Sequence, residues 1–225
     1  SQQITSQDAL GNTSTTVYAS NSNRVSASVD ALGNRTSYAY DLAGQQLSVQ
    51  NALGYFTTSS YDLAGRVVTV MDALGNITTS NYDKAGRRTS TQDALGYFTT
   101  TVYDNAGQTT ATVDALSNRT SYTYDSNGRQ TQTQDALKNL TSTVYDDAGR
   151  VQATIDALSN RTSFTYDGVG NLTQTKDALG NITSATYDAV NRTQATLDAL
   201  GNRTTFSYDA VGNQILVQDA KGNRT

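Results

Sequence analysis

Residues 61–81 read YDLAGRVVTVMDALGNITTSN, and residues 82–102 read YDKAGRRTSTQDALGYFTTTV. The phase holds along the chain. With the tyrosine of Tyr-Asp as position 1, Tyr40, Tyr61, Tyr82, Tyr103, Tyr124, Tyr145, Tyr166, Tyr187 and Tyr208 follow at steps of 21. Tyr18 precedes Tyr40 by 22, and the extra residue falls in the stretch 18–23, a turn, where insertions are tolerated. A fixed period of this length marks a repeat architecture and overrides any domain count drawn from 225 residues. The expectation is one continuous array over 1–225. The chain starts without Met and both ends fall inside a copy, so it reads as a window in a longer protein.

Each copy holds Y-D-x-A-G-R, five strand-like residues, D-A-L-G-N and a second strand-like run x-T-[ST]-x-x. Glycine supplies the positive φ of tight turns, and Asp and Asn hydrogen-bond back onto turn backbone. The residues between are rich in Thr, Val, Ile, Tyr and Phe, which favour strands. No apolar stripe recurs at helical spacing. The fold class is therefore all-β: tandem 21-residue hairpins of two short strands and two turns. A parallel β-solenoid, with one copy per coil, is the alternative.

Composition narrows the function. The net charge is −4, which gives nucleic acid no electrostatic reason to bind. Apolar runs are a few residues long, so no helix spans a membrane. Cysteine and histidine are both absent, which removes disulfides, thiolate metal sites and the usual general bases. All 20 acids are aspartates, and 19 of them stand at positions 2 and 12, inside the turns. They read as turn chemistry. No cofactor is implied, and the chain reads as non-enzymatic. Asp and Asn in the turns lack the spacing of a calcium loop. The Thr-x-Thr pairs, such as Thr89/Thr91 and Thr110/Thr112, read as strand preference.

The recurring Y-D-x-x-G-R…D-x-x-G-N pattern, from Asp8 to Thr225, resembles the YD repeat, also called the Rhs repeat. That family occurs in bacterial Rhs and Tc toxins, wall-associated proteins and teneurins. The resemblance implies hairpins joined side by side into a spiralling ribbon of sheet, closed in the toxins into a shell around a toxic domain. It also implies repeats that are not themselves catalytic. The uniform copies here favour an open rod or fibre over a closed shell. The expected place is extracellular or on the bacterial cell surface. The expected partners are the continued array itself and glycans.

A longer period lies over the first. Position 11 alternates between apolar and polar residues: Val29, Gln50, Met71, Gln92, Val113, Gln134, Ile155, Lys176, Leu197, Gln218. Position 17 is arginine in the copies with apolar position 11 (Arg35, Arg119, Arg161, Arg203), and position 20 is aromatic there (Tyr38, Tyr122, Phe164, Phe206). Ile77 and Ser80 break both rules. The working period is thus 42, and alternate hairpins sit in different environments. Aromatic bulk in one is expected to fill the space left by Ser or Thr in the next.

A four-residue Asp-Ala-Leu-Gly loop predicts pairing of position 11 with 16 and of 9 with 18. The expected core is the tyrosines Tyr40, Tyr61, Tyr82, Tyr103, Tyr124, Tyr145, Tyr166, Tyr187 and Tyr208. The turn leucines Leu32, Leu53, Leu74, Leu95, Leu116, Leu137, Leu158, Leu179 and Leu200 join them.

Two site readings remain. N-x-[ST] occurs at Asn12, Asn34, Asn76, Asn118, Asn139, Asn160, Asn171, Asn181, Asn191, Asn202 and Asn223, nine of them at position 16. They read either as turn exits or as glycan acceptors on exposed corners. Tyr55-Phe56 and Tyr97-Phe98 replace the usual residues at positions 16 and 17 and are candidates for stacking on sugar rings in an adhesin stalk.

Overall fold

The computed structural model describes residues 2–20 and 22–225. The stretch 18–23 includes Asn21, which lies outside the described residues. The described residues form 21 β-strands of five or six residues. They gather in two compact units, Ser1–Arg119 and Thr120–Thr225.

In the first unit the strands run from Gln3–Gln7 to Thr109–Val113, each antiparallel to the one before. In the second they run from residues 120–124 to Gln214–Gln218 in the same manner. Each unit is an open meander of hairpins. The parallel solenoid is not adopted.

The hairpin register differs by one residue from the sequence expectation. Gln92 faces Phe98, Thr91 faces Thr99 and Ser90 faces Thr100, which pairs position 11 with 17, 10 with 18 and 9 with 19. The cause lies in the loop. The Asp93 amide donates to the carbonyl of Tyr97 at 2.9 Å, so the loop closes on position 16 rather than before it. A one-residue slip turns side chains to the other face. Position 9 therefore shares a face with 19, while 18 and 20 lie with 10.

Between copies the register shifts once more. Val102 faces Ala111 but Tyr103 faces Thr109, leaving Thr110 as the extra residue of a β-bulge. The Thr110 hydroxyl donates to the Val102 carbonyl at 3.3 Å, and Thr89, Thr131 and Thr173 make the equivalent bond. These are the first members of the Thr-x-Thr pairs. They tie down a bulge, which adds twist and re-aims the tyrosine beside it.

The core is thin. Ala27, Ala111, Ala153 and Ala195 are 0–1% exposed. All four stand at position 9 of copies with an apolar position 11. Ala27 lies between Val17, also buried, and Ser37, and Ala153 lies between Val144 and Ser163. Only a methyl group is small enough to be covered wholly by its flanking side chains in a single layer. The intervening copies carry Ser48, Ser90, Gln132, Gln174 or Leu216 there, none of them buried. The copy with Ile77 and Ser80 has Thr69. The 42-residue period is thus written into burial as well as into sequence.

Three expectations about packing are corrected. The recurring tyrosines Tyr40, Tyr61, Tyr82, Tyr103, Tyr124, Tyr145, Tyr166, Tyr187 and Tyr208 are half-buried rather than buried core, because a single sheet covers each ring on one side only. The turn leucines are not core: Leu10, Leu32, Leu53, Leu74, Leu95, Leu116, Leu137, Leu158, Leu179 and Leu200 are 79–88% exposed, because the third turn residue points off the hairpin tip. Nor do aromatics fill the space beside small residues at position 20. Open recesses of about 700 and 440 Å³ remain beside Ala185 and Thr143. The register slip puts position 20 on the face opposite the alanines.

Candidate functional site

Both turns of a copy use one geometry. In the Tyr-Asp turn, Gly86 donates its amide to the Asp83 carbonyl at 3.0 Å and adopts φ 84°. The Asp83 carboxylate accepts the amides of Ala85 and Arg87 through Oδ1, each at 2.9 Å. In the Asp-Ala-Leu turn, Asp72 Oδ1 accepts the amides of Leu74 and Asn76 at 2.8 and 2.9 Å. In each case Oδ2 stays free for the side chain four residues on, and that side chain makes the two turns differ.

At position 16 the side chain is asparagine. Its Nδ2 donates to the Asp Oδ2 at 2.7–2.9 Å in nine copies, and the turn closes on itself. At position 6 it is often arginine. Nε of Arg66, Arg87, Arg129, Arg150 and Arg192 donates to the copy's own Asp Oδ2 at 2.7 Å. The longer side chain then reaches the next copy. Nη1 donates to that copy's Asp carbonyl at 3.1–3.4 Å. The guanidinium lies over that copy's tyrosine ring at 4.6–4.7 Å, within cation–π range. The tyrosine is half-buried and donates its hydroxyl back across the preceding strand, as Tyr82 does to the Val67 carbonyl at 2.8 Å. Every Tyr-Asp-Arg set is therefore a clip from one hairpin to the next. Sequence reading assigned this arginine no role. Its signal was there: it recurs 16 residues before the next tyrosine.

The charges follow the clips. The Arg66 side chain, then its amide, holds the Asp62 carboxyl below its usual range. At Asp83 the Arg87 amide is the main cause. The Asn76 side chain does the same for Asp72. Among the described residues no group of acids gathers as a metal site.

The candidate glycan acceptors fall in two places. Asn12, Asn34, Asn76, Asn118, Asn139, Asn160, Asn181, Asn202 and Asn223 are exposed at hairpin corners, each with the amide nitrogen that a glycan would take held by its aspartate. Asn171 and Asn191 lie in the Tyr-Asp turns of two successive copies, joined by an amide hydrogen bond of 2.9 Å. Tyr55 and Phe56 on one hairpin, and Tyr97 and Phe98 on another, are each about half exposed. The structure does not bring them together with polar groups in one recess.

Fold and clip define a tandem β-hairpin repeat protein. The family model of the RHS repeat matches residues 20–55, 61–97, 103–140, 145–184 and 187–224, and the chain belongs to that family. No curated protein matches it. Among solved structures, the TcdB2-TccC3-Cdc42 crystal structure is 16% identical at a TM-score of 0.38, covering 93% of this chain and 15% of that one. The Photorhabdus luminescens Tc holotoxin pore is 13% identical at 0.40, covering 96% and 19%. A porin-like protein from Bacteroides uniformis is 11% identical at 0.24, covering 89% and 91%. The chain spans about 15% of the length of the first of these.

Proposed function

We propose that the chain is a structural wall element of a larger secreted or cell-surface protein of the Rhs type, and that it performs no catalysis. The clip carries this reading. Its arginine, aspartate and tyrosine are spent on joining neighbouring hairpins, and the arrangement extends for as many copies as the gene supplies. Stability of such an array comes from neighbour terms rather than from a central core. In this reading the full protein lines a shell around a cargo, as the family resemblance implies.

A second reading, an open rod or fibre whose partner is its own continued array, is favoured by the 42-residue alternation of buried alanines. A wide shell gives alternate hairpins no reason to differ. Electron microscopy of the full-length protein separates the two: hollow particles support the shell and exclude the rod, and thin rods do the reverse. Glycans at the corner asparagines and sugar stacking at Tyr55, Phe56, Tyr97 and Phe98 belong to either form. An intact mass equal to that of the bare chain removes the glycans.

A further inference from the structure

Two copies in the second unit depart from the clip, with Asn171 and Asn213 in place of the arginine, and the first of them stands beside an open recess. Where the neighbours of that copy have Arg150 and Arg192, it has Asn171. The Asn171 amide takes the place of the arginine Nε, 2.9 Å from Asp167 Oδ2, but reaches no further than Asn191 Oδ1, also 2.9 Å away. Asn191 stands where glycine is usual and holds φ 66°. Among the described residues no guanidinium covers the ring of Tyr187, as Arg150 covers Tyr166 and Arg192 covers Tyr208. Asp167 has no arginine ion pair, whereas Asp146 and Asp188 on the flanking copies do. The space stays open: the recess of about 700 Å³ is lined here by Asp167, Asn171, Gln174, Tyr187, Asp188 and Asn191.

We propose that this recess binds a guanidinium cation, either an arginine side chain of another molecule or a small guanidine. The chain supplies the template. In the preceding copy a guanidinium sits 4.7 Å over Tyr166, pairs with Asp146 and donates to the Asp167 carbonyl at 3.1 Å. In the following copy another sits 4.6 Å over Tyr208, pairs with Asp188 and donates to the Asp209 carbonyl. At Asn171 the same three groups are present as Tyr187, Asp167 and the Asp188 carbonyl, and the chain's own guanidinium is not. A planar, weakly hydrated cation stacks on an aromatic face and forks onto oxygens. An ammonium is a strongly hydrated point charge and matches the plane less well.

The test is an NMR titration of the whole chain, following the backbone amides of residues 171 and 191, which persist in every variant, together with the side-chain amides of Asn171 and Asn191 in the parent. The probes are methylguanidinium and an arginine-containing tripeptide, with methylammonium and glucose as controls. The expected result is saturable shifts at both residues with methylguanidinium, several-fold tighter than with methylammonium. The Asn171→Arg variant supplies its own guanidinium and loses the binding. Asn171→Arg with Asn191→Gly restores the full repeat pattern and loses it too while keeping a folded spectrum. Saturation by the tripeptide assigns the cation to a protein side chain, and saturation by methylguanidinium alone assigns it to a small guanidine. The proposal is overturned by unsaturable shifts, by equal shifts at the intact turn of Asp146, by binding that survives both variants, or by saturation with glucose instead.

Discussion

The guanidinium carbon of Arg87 lies 4.6 Å from the centre of the Tyr103 ring, on the next hairpin, while Nε holds Asp83 at 2.7 Å on its own. One side chain thus fixes a turn and binds its neighbour. Arg87→Ala removes both and is expected to lower stability by about 1–2 kcal/mol, combining a cation–π contact with a partly exposed ion pair. Arg87→Lys keeps the charge but loses the planar fork, and recovers less than half of that loss. Urea unfolding of the three proteins measures it. A lysine variant as stable as the parent would show that charge alone suffices.

Acid should destabilise the chain. The turn aspartates, such as Asp62, Asp72 and Asp146, are held below the value of 3.8 that a free aspartate shows. The folded state therefore binds those protons less readily than the unfolded one. Their stabilisation is full above the unfolded value and is lost as pH falls through the lower folded values. With no histidine in the chain, no side chain is expected to titrate between about pH 5 and pH 7. The urea midpoint is expected to stay level there and to drop below about pH 4. A midpoint that rises on acidification contradicts the turn assignments.

Position 9 should tolerate bulk in one set of hairpins and not in the other. Ala153 is fully buried, whereas Gln132 one copy earlier is already a large side chain at the same place. Ala153→Leu is expected to cost about 1–3 kcal/mol through overpacking. Gln132→Leu is expected to change stability by less than about 0.5 kcal/mol. Equal costs would mean that the 42-residue period is gene history without physical content.

The hairpins were legible because most copies repeat the same turn residues at the same spacing. Gly86 and Gly96 mark positive φ, and the aspartates before them mark turns that need a side-chain acceptor. The register was not legible, because loop closure depends on one backbone bond, Asp93 to Tyr97, which leaves no mark in residue type. The face of Thr99 and the exposure of Leu95 were lost with it. The clip was missed for another reason: exposed arginines usually read as solubility, and only the fixed 16-residue offset to the next tyrosine ties Arg87 to Tyr103.

Three Asp-Ala-Leu turns lack their glycine. Ser117, Lys138 and Ser159 hold φ of 67–70° where other copies have glycine. A residue with a Cβ is strained there, by roughly 1–2 kcal/mol. Glycine also gives the unfolded chain more freedom, which takes back part of the gain. Ser159→Gly is expected to raise stability by about 0.5–1 kcal/mol, and Gly180→Ser, the reverse change one copy later, to lower it by a similar amount. Thermal melts of the two variants check the pair.

The exposed leucines make the last prediction. Leu95 projects from a hairpin tip with 81% of its surface open. Its replacement by serine removes little packing, so stability should move by less than about 0.5 kcal/mol. The same holds for Leu137 and Leu179, at 83% and 88%. A triple Ser variant should unfold at the parent's urea midpoint while remaining in solution to higher concentration, because three exposed apolar tips are removed. A loss of about 2 kcal/mol or more would instead mean that these tips are covered in the assembled protein, and the turn leucines would return to the core from which their exposure now excludes them.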